Sequence, residues 1–269
     1  MPQVDLRLCR SLLFLPASNP RAVEKARGLD ADMIILDLED SVPEDSKAAA
    51  REAAVAATGA GFGERPVAIR VNPTGSRFYG DDVVAVRRTA ADYVVLAKAE
   101  TAKQVADASW LMGKPVLAMI ETPRGVIDAA TIAAPTRGLI AGVNDLGATL
   151  GLPPGAGRVG LVYALQRIVL AARSAGVAVF DGVRNSLDVD QDLIAECEEG
   201  RQFGFDGKSV IHPNQIPAVN LAFAPSEAEL DSAHRLIAAA TGGAERHEGR
   251  MIETLHVEQA RALIAKSRR

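Results

Sequence analysis

Met33-Ile34-Ile35-Leu36-Asp37-Leu38-Glu39-Asp40 drives an unbroken apolar run straight into a knot of acid. An apolar run this short, with no polar alternation, has the composition of a strand covered on both faces. The same beat recurs along the chain. Ser11–Pro16, Met33–Leu38, Pro66–Val71, Tyr93–Ala97, Val116–Glu121, Gly138–Val143, Val177–Asp181 and Asp206–Ile211 are short apolar runs. Longer Ala-rich stretches of helical composition lie between them, among them Pro20–Arg27, Asp45–Thr58, Thr101–Met112, Tyr163–Ser174 and Val189–Phe203. Ser18 or Asn19 caps the first, with Pro20 at its opening position and Gly28 after its last turn. Parallel strands need crossovers, and eight strand–helix units in a chain of this length predict an α/β fold, a (β/α)8 TIM barrel. An open doubly wound sheet would open on a glycine-rich turn. The turn here, Pro16-Ala17-Ser18-Asn19-Pro20, has no glycine.

The barrel pattern ends near Pro225, which divides the chain into a catalytic barrel over 1–225 and a helical extension over 226–269. Ser226–Ala240 reads as a helix, Thr241–Arg250 as a polar break, and Thr254–Arg269 as a basic amphipathic segment. The extension is either a packing helix or a lid over its own or a neighbouring barrel. Composition narrows the function classes. Lys+Arg 30 against Asp+Glu 34 leaves a net charge of −4, without the basic excess that nucleic acid or an anionic membrane attracts. No apolar run approaches membrane-spanning length, and the polar start argues against a secretory signal, so a cytoplasmic protein is expected. Cys9 and Cys197 cannot build a disulfide framework or a cysteine-rich zinc site.

In a barrel of this kind, chemistry sits where strands run into the loops that follow them. Those positions hold Asp37, Glu39 and Asp40; Arg70 and Asn72; Lys98; Glu121; Asn144 and Asp145; Asp181; and Lys208 with His212. Strand alternation puts Ala68, Arg70 and Asn72 on one face, Ile35, Asp37 and Glu39 on another, Glu121 with Leu117 and Met119, and Asp145 with Ala141 and Val143. An inward arginine facing inward carboxylates is costly as structure alone and points to a bound metal or anion. Carboxylates without a Cys/His cluster favour a hard cation, Mg2+ or Mn2+ in its place. Lys98 reads as a barrel lysine satisfied by its neighbours rather than a Schiff-base former.

Arg10-Ser11-Leu12-Leu13-Phe14-Leu15-Pro16, Leu36-Asp37-Leu38-Glu39-Asp40-Ser41-Val42-Pro43, Ile69-Arg70-Val71-Asn72, Ile120-Glu121-Thr122, Gly142-Val143-Asn144-Asp145-Leu146 and Gly207-Lys208-Ser209-Val210-Ile211-His212-Pro213-Asn214-Gln215 together resemble, in order, the citrate lyase β-subunit family of the wider HpcH/HpaI aldolase superfamily. The resemblance implies a Mg2+-dependent lyase that cleaves a citryl, malyl or citramalyl thioester of coenzyme A or an acyl carrier protein. The products would be a 2-oxo acid (oxaloacetate, glyoxylate or pyruvate) and an acyl thioester. It implies Glu121 and Asp145 as metal ligands, Arg70 as the catalytic grip on a substrate carboxylate, and Gly142, Val143 and Asn144 against the oxo acid. Asp37, Glu39 and Asp40 would form an acidic shell, and Arg10 would stand at the thioester end.

The resemblance further implies a homotrimer or homohexamer in which a carboxylate near the C-terminus reaches a neighbouring site. The family's Gly-x-Met-(Ile/Val)-Asp stretch is here Gly249-Arg250-Met251-Ile252-Glu253, so Glu253 is the implied acid, longer by one methylene, a change in reach of ~1 Å. Two rivals remain: a class II aldolase on free hydroxy-oxo acids, and a carrier-dependent subunit that binds metabolites without turning them over.

Overall fold

The computed structural model describes residues 4–247 and 249–267. Eight parallel strands, β1 (Ser11–Pro16), β2 (Met33–Asp37), β3 (Val67–Val71), β4 (Tyr93–Leu96), β5 (Val116–Ile120), β6 (Gly138–Ala141), β7 (Ala178–Asp181) and β8 (Gly207–Val210), pair in sequence order into a closed barrel. Closure is made by β8 on β1, where Ser11 partners Lys208 and Leu13 partners Val210. A Cβ at Gly207 would stand 2.5 Å from the carbonyl oxygens of Cys9 and Arg10, so the seam closes only over a glycine.

The helices are α1 (Pro20–Ala26), α2 (Lys47–Ala60), α3 (Tyr79–Val86), α4 (Ala102–Met112), α5 (Pro123–Ile127), α6 (Ala129–Ala133), α7 (Val143–Thr149), α8 (Val162–Ala175), α9 (Gln191–Phe203) and α10 (Gln215–Phe223). Their starts carry the chemistry that the backbone N–H groups of a first turn require. Asn19 accepts from Ala22 N, Thr101 forms a capping box with Gln104, and Thr122 accepts from Gly125 N. Gly113, Gly176 and Gly204 close α4, α8 and α9 in left-handed conformations.

Alternation along the strands divides the core in two. Leu12, Phe14, Met33, Ile35, Ala68, Tyr93, Val95, Leu117, Met119, Ile140, Ala178 and Phe180 fill the lumen. Leu13, Ile34, Leu36, Ile69, Val94, Ala118, Leu139, Val179 and Val210 pack outward under the helices. This is the layered interior of a filled barrel, not a pore.

At the end where the strands begin, acids cap the sheet, Asp32 and Asp206 buried and Asp92 exposed. Asp32 accepts from Arg10 N (2.7 Å), Asp92 from Val67 N (2.9 Å) and Asp206 from Val179 N (2.9 Å). After α10 the chain forms α11 (Glu227–Ala239), a short antiparallel pair β9 (Glu245–His247) and β10 (Arg250–Ile252), and α12 (Thr254–Lys266) packed on α11. Lys266 anchors the far end of α12, donating to Asp206 O and lying 5.7 Å from the centre of the Phe223 ring. No helix among the described residues is long and apolar enough to cross a membrane.

Candidate active site at the barrel mouth

β2 and β3 lie in register with Asp37 opposite Arg70, and both side chains enter the mouth. Arg70 Nε and Nη2 each donate to a different Asp37 oxygen at 2.6 Å, the two-pronged fit of a guanidinium on a carboxylate. Asp37 also accepts from Glu39 N at 2.9 Å and from Ser41 N at 3.1 Å. The remaining nitrogen of Arg70 stands 3.1 Å from Glu39 Oε2, and its guanidinium lies 5.2 Å from the centre of the Phe14 ring. Burial would raise the Asp37 carboxyl, but the hydrogen bonds and charge of Arg70 outweigh it and hold it below its usual range. Arg70 is therefore fixed and charged.

Lys98 follows β4 with φ +49°, the left-handed region that a lysine seldom adopts. Its backbone N–H donates to Glu121 Oε1 at 2.7 Å. Its ammonium stands 2.9 Å from Glu39 Oε1 and 2.9 Å from Asp145 Oδ2. Glu121 is presented by the end of β5 and runs close beside Gly142. A Cβ at Gly142 would lie 2.3 Å from Glu121 Cβ and 2.6 Å from its Oε2, so only glycine leaves room for this carboxylate. Asp145 arrives differently from the expectation. β6 ends at Ala141 and α7 begins at Val143, so Asp145 comes from the first turn of a helix and strand parity does not set its direction.

The cluster is electrostatically lopsided. Burial, then the charge of Glu39, pushes the Glu121 carboxyl up to about 7, and burial raises Glu39 as well. Glu39 Oε2 and Asp145 Oδ2 are buried oxygens that face a cation but accept no aligned hydrogen bond. Among the described residues no three His, Cys, Asp or Glu side chains close into a full metal cage. The pair Glu121 and Asp145 instead offers what Mg2+ takes, one or two carboxylates with the other positions left to water and substrate. Under-satisfied acidic oxygens and a raised carboxyl pKa fit such an ion.

These groups surround a cavity of about 420 Å3. Asp37, Arg70, Glu121, Asp145 and the Gly142–Asn144 backbone give it polar lining, and Phe14, Met119, Val183 and Ile211 give it apolar lining. Asn144 and Asn185 exchange side-chain hydrogen bonds at 3.0 and 2.9 Å across the two loops at the rim. A larger, shallow depression beside Arg27 and Arg65, at the other end of the barrel, holds no comparable convergence of carboxylates.

Not every expected residue joins the site. Asp40 lines the cavity from an exposed position at its edge. Arg10 does not come to the thioester end. It precedes β1, on the opposite face of the barrel, and is bound by Asp32 through Nε (2.8 Å) and Nη2 (3.0 Å). Asn72 turns out of the lumen because β3 has ended, and donates to Asp82 and to Leu38 O. Glu253 caps α12 in the tail, where it shares a cavity with Ile237, Gly242, Thr254, Val257 and Arg261 and with no residue of the mouth. Lys98, Val183, Asn185 and Ile211 belong to the site without having been assigned to it. Of these only Lys98, a charge at a strand end, carried a signal in the sequence.

The description "HpcH/HpaI aldolase/citrate lyase" matches residues 10–213, and "C-C_Bond_Lyase of the TIM-Barrel fold" matches residues 158–269. The chain belongs to the HpcH/HpaI aldolase/citrate lyase family. Within that family it is 41% identical to a (3S)-malyl-CoA thioesterase of Cereibacter sphaeroides, over 96% of this chain and 94% of that protein. It is 34% identical to the citrate lyase subunit beta of Leuconostoc mesenteroides, over 90% of this chain and 86% of that one. The structure of CitE from Mycobacterium tuberculosis in complex with magnesium, acetoacetate and coenzyme A superposes with a TM-score of 0.84 at 36% identity, covering 98% of this chain and all of that one. A citrate lyase beta subunit from the same organism, complexed with oxaloacetate and magnesium, superposes at 0.73 and 36% identity over 82% of this chain and all of that one. The citrate lyase β-like family and the barrel of its members thus agree with what the motifs implied.

Proposed function

We propose that this family member is a divalent-metal-dependent carbon–carbon lyase that cleaves a 3-hydroxyacyl thioester into a 2-oxo acid and an acyl thioester. One observation carries the reading: Glu121 and Asp145 meet through Lys98 beside a fixed, charged Arg70, in a cavity open at the strand ends. Glu121 and Asp145 would hold Mg2+ or Mn2+, as the relatives with magnesium beside oxaloacetate or acetoacetate suggest. Such an ion supplies Lewis acidity, lowering the pKa of a bound hydroxyl and stabilising the oxo group that replaces it.

The chain's own residues do the rest. Arg70, aimed by Asp37, grips the carboxylate of the oxo-acid half and fixes the orientation of the bond to be broken. The Gly142–Asn144 backbone walls in the same half. The 3-hydroxyl proton passes to a carboxylate of the acidic cluster, the bond between carbons 2 and 3 breaks, and its electron pair passes to the thioester as an enolate. The enolate then takes a proton from a positioned acid. Glu253 is that acid in our proposal. Because it lies in the tail, away from its own mouth, it serves a neighbouring copy in a homotrimer or homohexamer. The thioester is carried on coenzyme A or an acyl carrier protein.

A second reading, hydrolysis of the thioester, is favoured by the name of the 41% identical relative. One experiment separates the two. Purified protein is incubated with Mg2+ and malyl-, citramalyl- or citryl-coenzyme A, and products are followed by a carbonyl reagent and a thiol reagent. A 2-oxo acid appearing without free thiol is the lyase result. Free thiol without oxo acid selects hydrolysis, and neither product overturns both readings.

A further inference from the structure

Lys98 touches both proposed metal ligands, and it does so with two different groups. Its N–H binds Glu121 Oε1 at 2.7 Å, and its ammonium stands 2.9 Å from Asp145 Oδ2. The left-handed backbone at φ +49° lets one residue serve both. Such a conformation in a residue other than glycine is sterically unfavourable and persists where surrounding contacts hold it. Here those contacts are with the acidic cluster itself, since Glu39 Oε1 holds the same ammonium at 2.9 Å.

The placement has an electrostatic consequence. A fixed positive charge touching Asp145 opposes any divalent cation that approaches the same carboxylate, and with the side chain only a third exposed, solvent screens the repulsion incompletely. An anionic oxo acid entering beside Arg70 adds negative charge to the same spot and offsets the repulsion. Ion and oxo acid should therefore strengthen each other's binding, and by linkage to the same degree. We propose that Lys98 is a positioning residue that holds Glu121 and Asp145 in place and, as a resident cation, keeps divalent-ion affinity low until an oxo acid enters. This rests on the metal reading of Glu121 and Asp145.

The test is Mn2+ binding to the metal-free, full-length protein, followed by the electron-paramagnetic resonance of free Mn2+, with and without oxalate as a two-carboxylate probe. In the unaltered protein, saturating oxalate should tighten Mn2+ at least tenfold. Lys98→Met keeps the N–H to Glu121 and removes the charge together with the donor to Glu39, so Mn2+ alone should bind at least tenfold tighter and most of the oxalate effect should vanish. Lys98→Arg should behave as the unaltered protein. Loss of a merely structural residue would loosen the site, so the direction of the change is itself diagnostic. If Lys98→Met does not fold by circular dichroism, Lys98→Gln provides the same neutralisation with a donor retained for Glu39.

Equal or weaker Mn2+ binding in the folded neutral variant overturns the proposal, provided Glu121→Gln and Asp145→Asn abolish binding. Mn2+ binding that survives those two substitutions overturns the metal reading, and the role of Lys98 with it.

Discussion

Two clusters of buried charge stand at the same end of this barrel and have opposite characters. One is the mouth, with Asp37, Glu39, Arg70, Lys98, Glu121 and Asp145. The other lies outside the barrel wall, where Asp181 of β7 and Lys208 of β8 sit fully buried under α9 and α10. In the second cluster Arg158 forks onto Asp181 at 2.7 and 3.0 Å, and Lys208 donates to Asp181 (3.1 Å) and to Gly182 O (2.7 Å). Burial would raise the Asp181 carboxyl, but the charges of Lys208 and Arg158 bring it below its ordinary value. At the mouth, Glu121 is displaced the other way and two carboxylate oxygens lack an aligned donor. Burial of charge therefore does not mark a site. Acceptors left open toward a cavity do.

Substitution should pull the two clusters apart. The largest effect is expected at the mouth. Glu121→Gln or Asp145→Asn should lower turnover roughly 10^3-fold or more, the scale on which loss of a group that stabilises developing charge is felt. Thermal unfolding should move only slightly, and a chelator should reproduce the loss in the unaltered enzyme. Next comes the wall. Lys208→Met removes one of the two cations on Asp181 while Arg158 stays, so it should cost less than the about 3–5 kcal/mol of a fully broken buried pair in urea unfolding and leave kcat of the folded protein intact. Replacing Arg158, Asp181 and Lys208 together by apolar residues of similar size should recover most of that loss. A catalytic defect in the folded Lys208→Met protein would break the distinction.

Smaller effects sharpen it. Glu253→Gln should slow turnover about 10^2-fold, as loss of a general acid does, and mixing that variant with Glu121→Gln should restore part of the activity if the tail serves a neighbour. Asp181 gives the wall a pH signature. Its folded pKa lies below the unfolded value, so the stability it contributes is complete above about pH 4 and is lost as pH falls through the folded value. The melting-temperature gap between the unaltered protein and Asp181→Asn should be constant from pH 7 to 5 and shrink below pH 4.

The smallest effect concerns the tail anchor. Burial, together with repulsion from Arg201, Arg173 and Arg10, lowers Lys266 to about 8 despite the pull of Asp206. The undocked chain keeps a proton that the docked one loses between about 8 and 10.5, so docking of α12 tightens as pH rises through that window. Hydrogen exchange in α12, corrected for the intrinsic rate, should slow accordingly.

Much of the barrel was legible, because buried strands announce themselves by short apolar runs. β1 spans the residues its composition predicts, and β2 ends one residue short of its run. The short helices α3, α5, α6 and α7 were not singled out, since pieces of five to eight residues carry little periodicity. That gap matters at Asp145. Reading β6 through to Val143 made its direction a matter of strand parity, whereas the first turn of α7 sets it. Asn72 failed for a related reason, since alternation ceases to apply once a strand has ended. Arg10 failed on polarity of another kind, for a charge before a strand and a charge after one lie on opposite faces of the barrel.

Lys98 was visible as a charge at a strand end, but the backbone conformation that turns it toward two ligands leaves no trace in composition. The outward aim of Asp181 and Lys208 depends on register with α9 and α10, which a single strand does not encode.

The contact of Glu121 with Gly142 has a consequence for how such a protein can diverge. Even the smallest side chain at 142 would collide with the carboxylate beside it, so that corner of the barrel is closed to change. Phe14 and Met119 are locked into the lumen beside Arg70, whereas Val183 and Ile211, partly exposed at the rim, are not part of that core. Descendants of this sequence are free to change what the chamber accepts by resculpting its rim, while the corner at 142 stays frozen by a single missing methyl group.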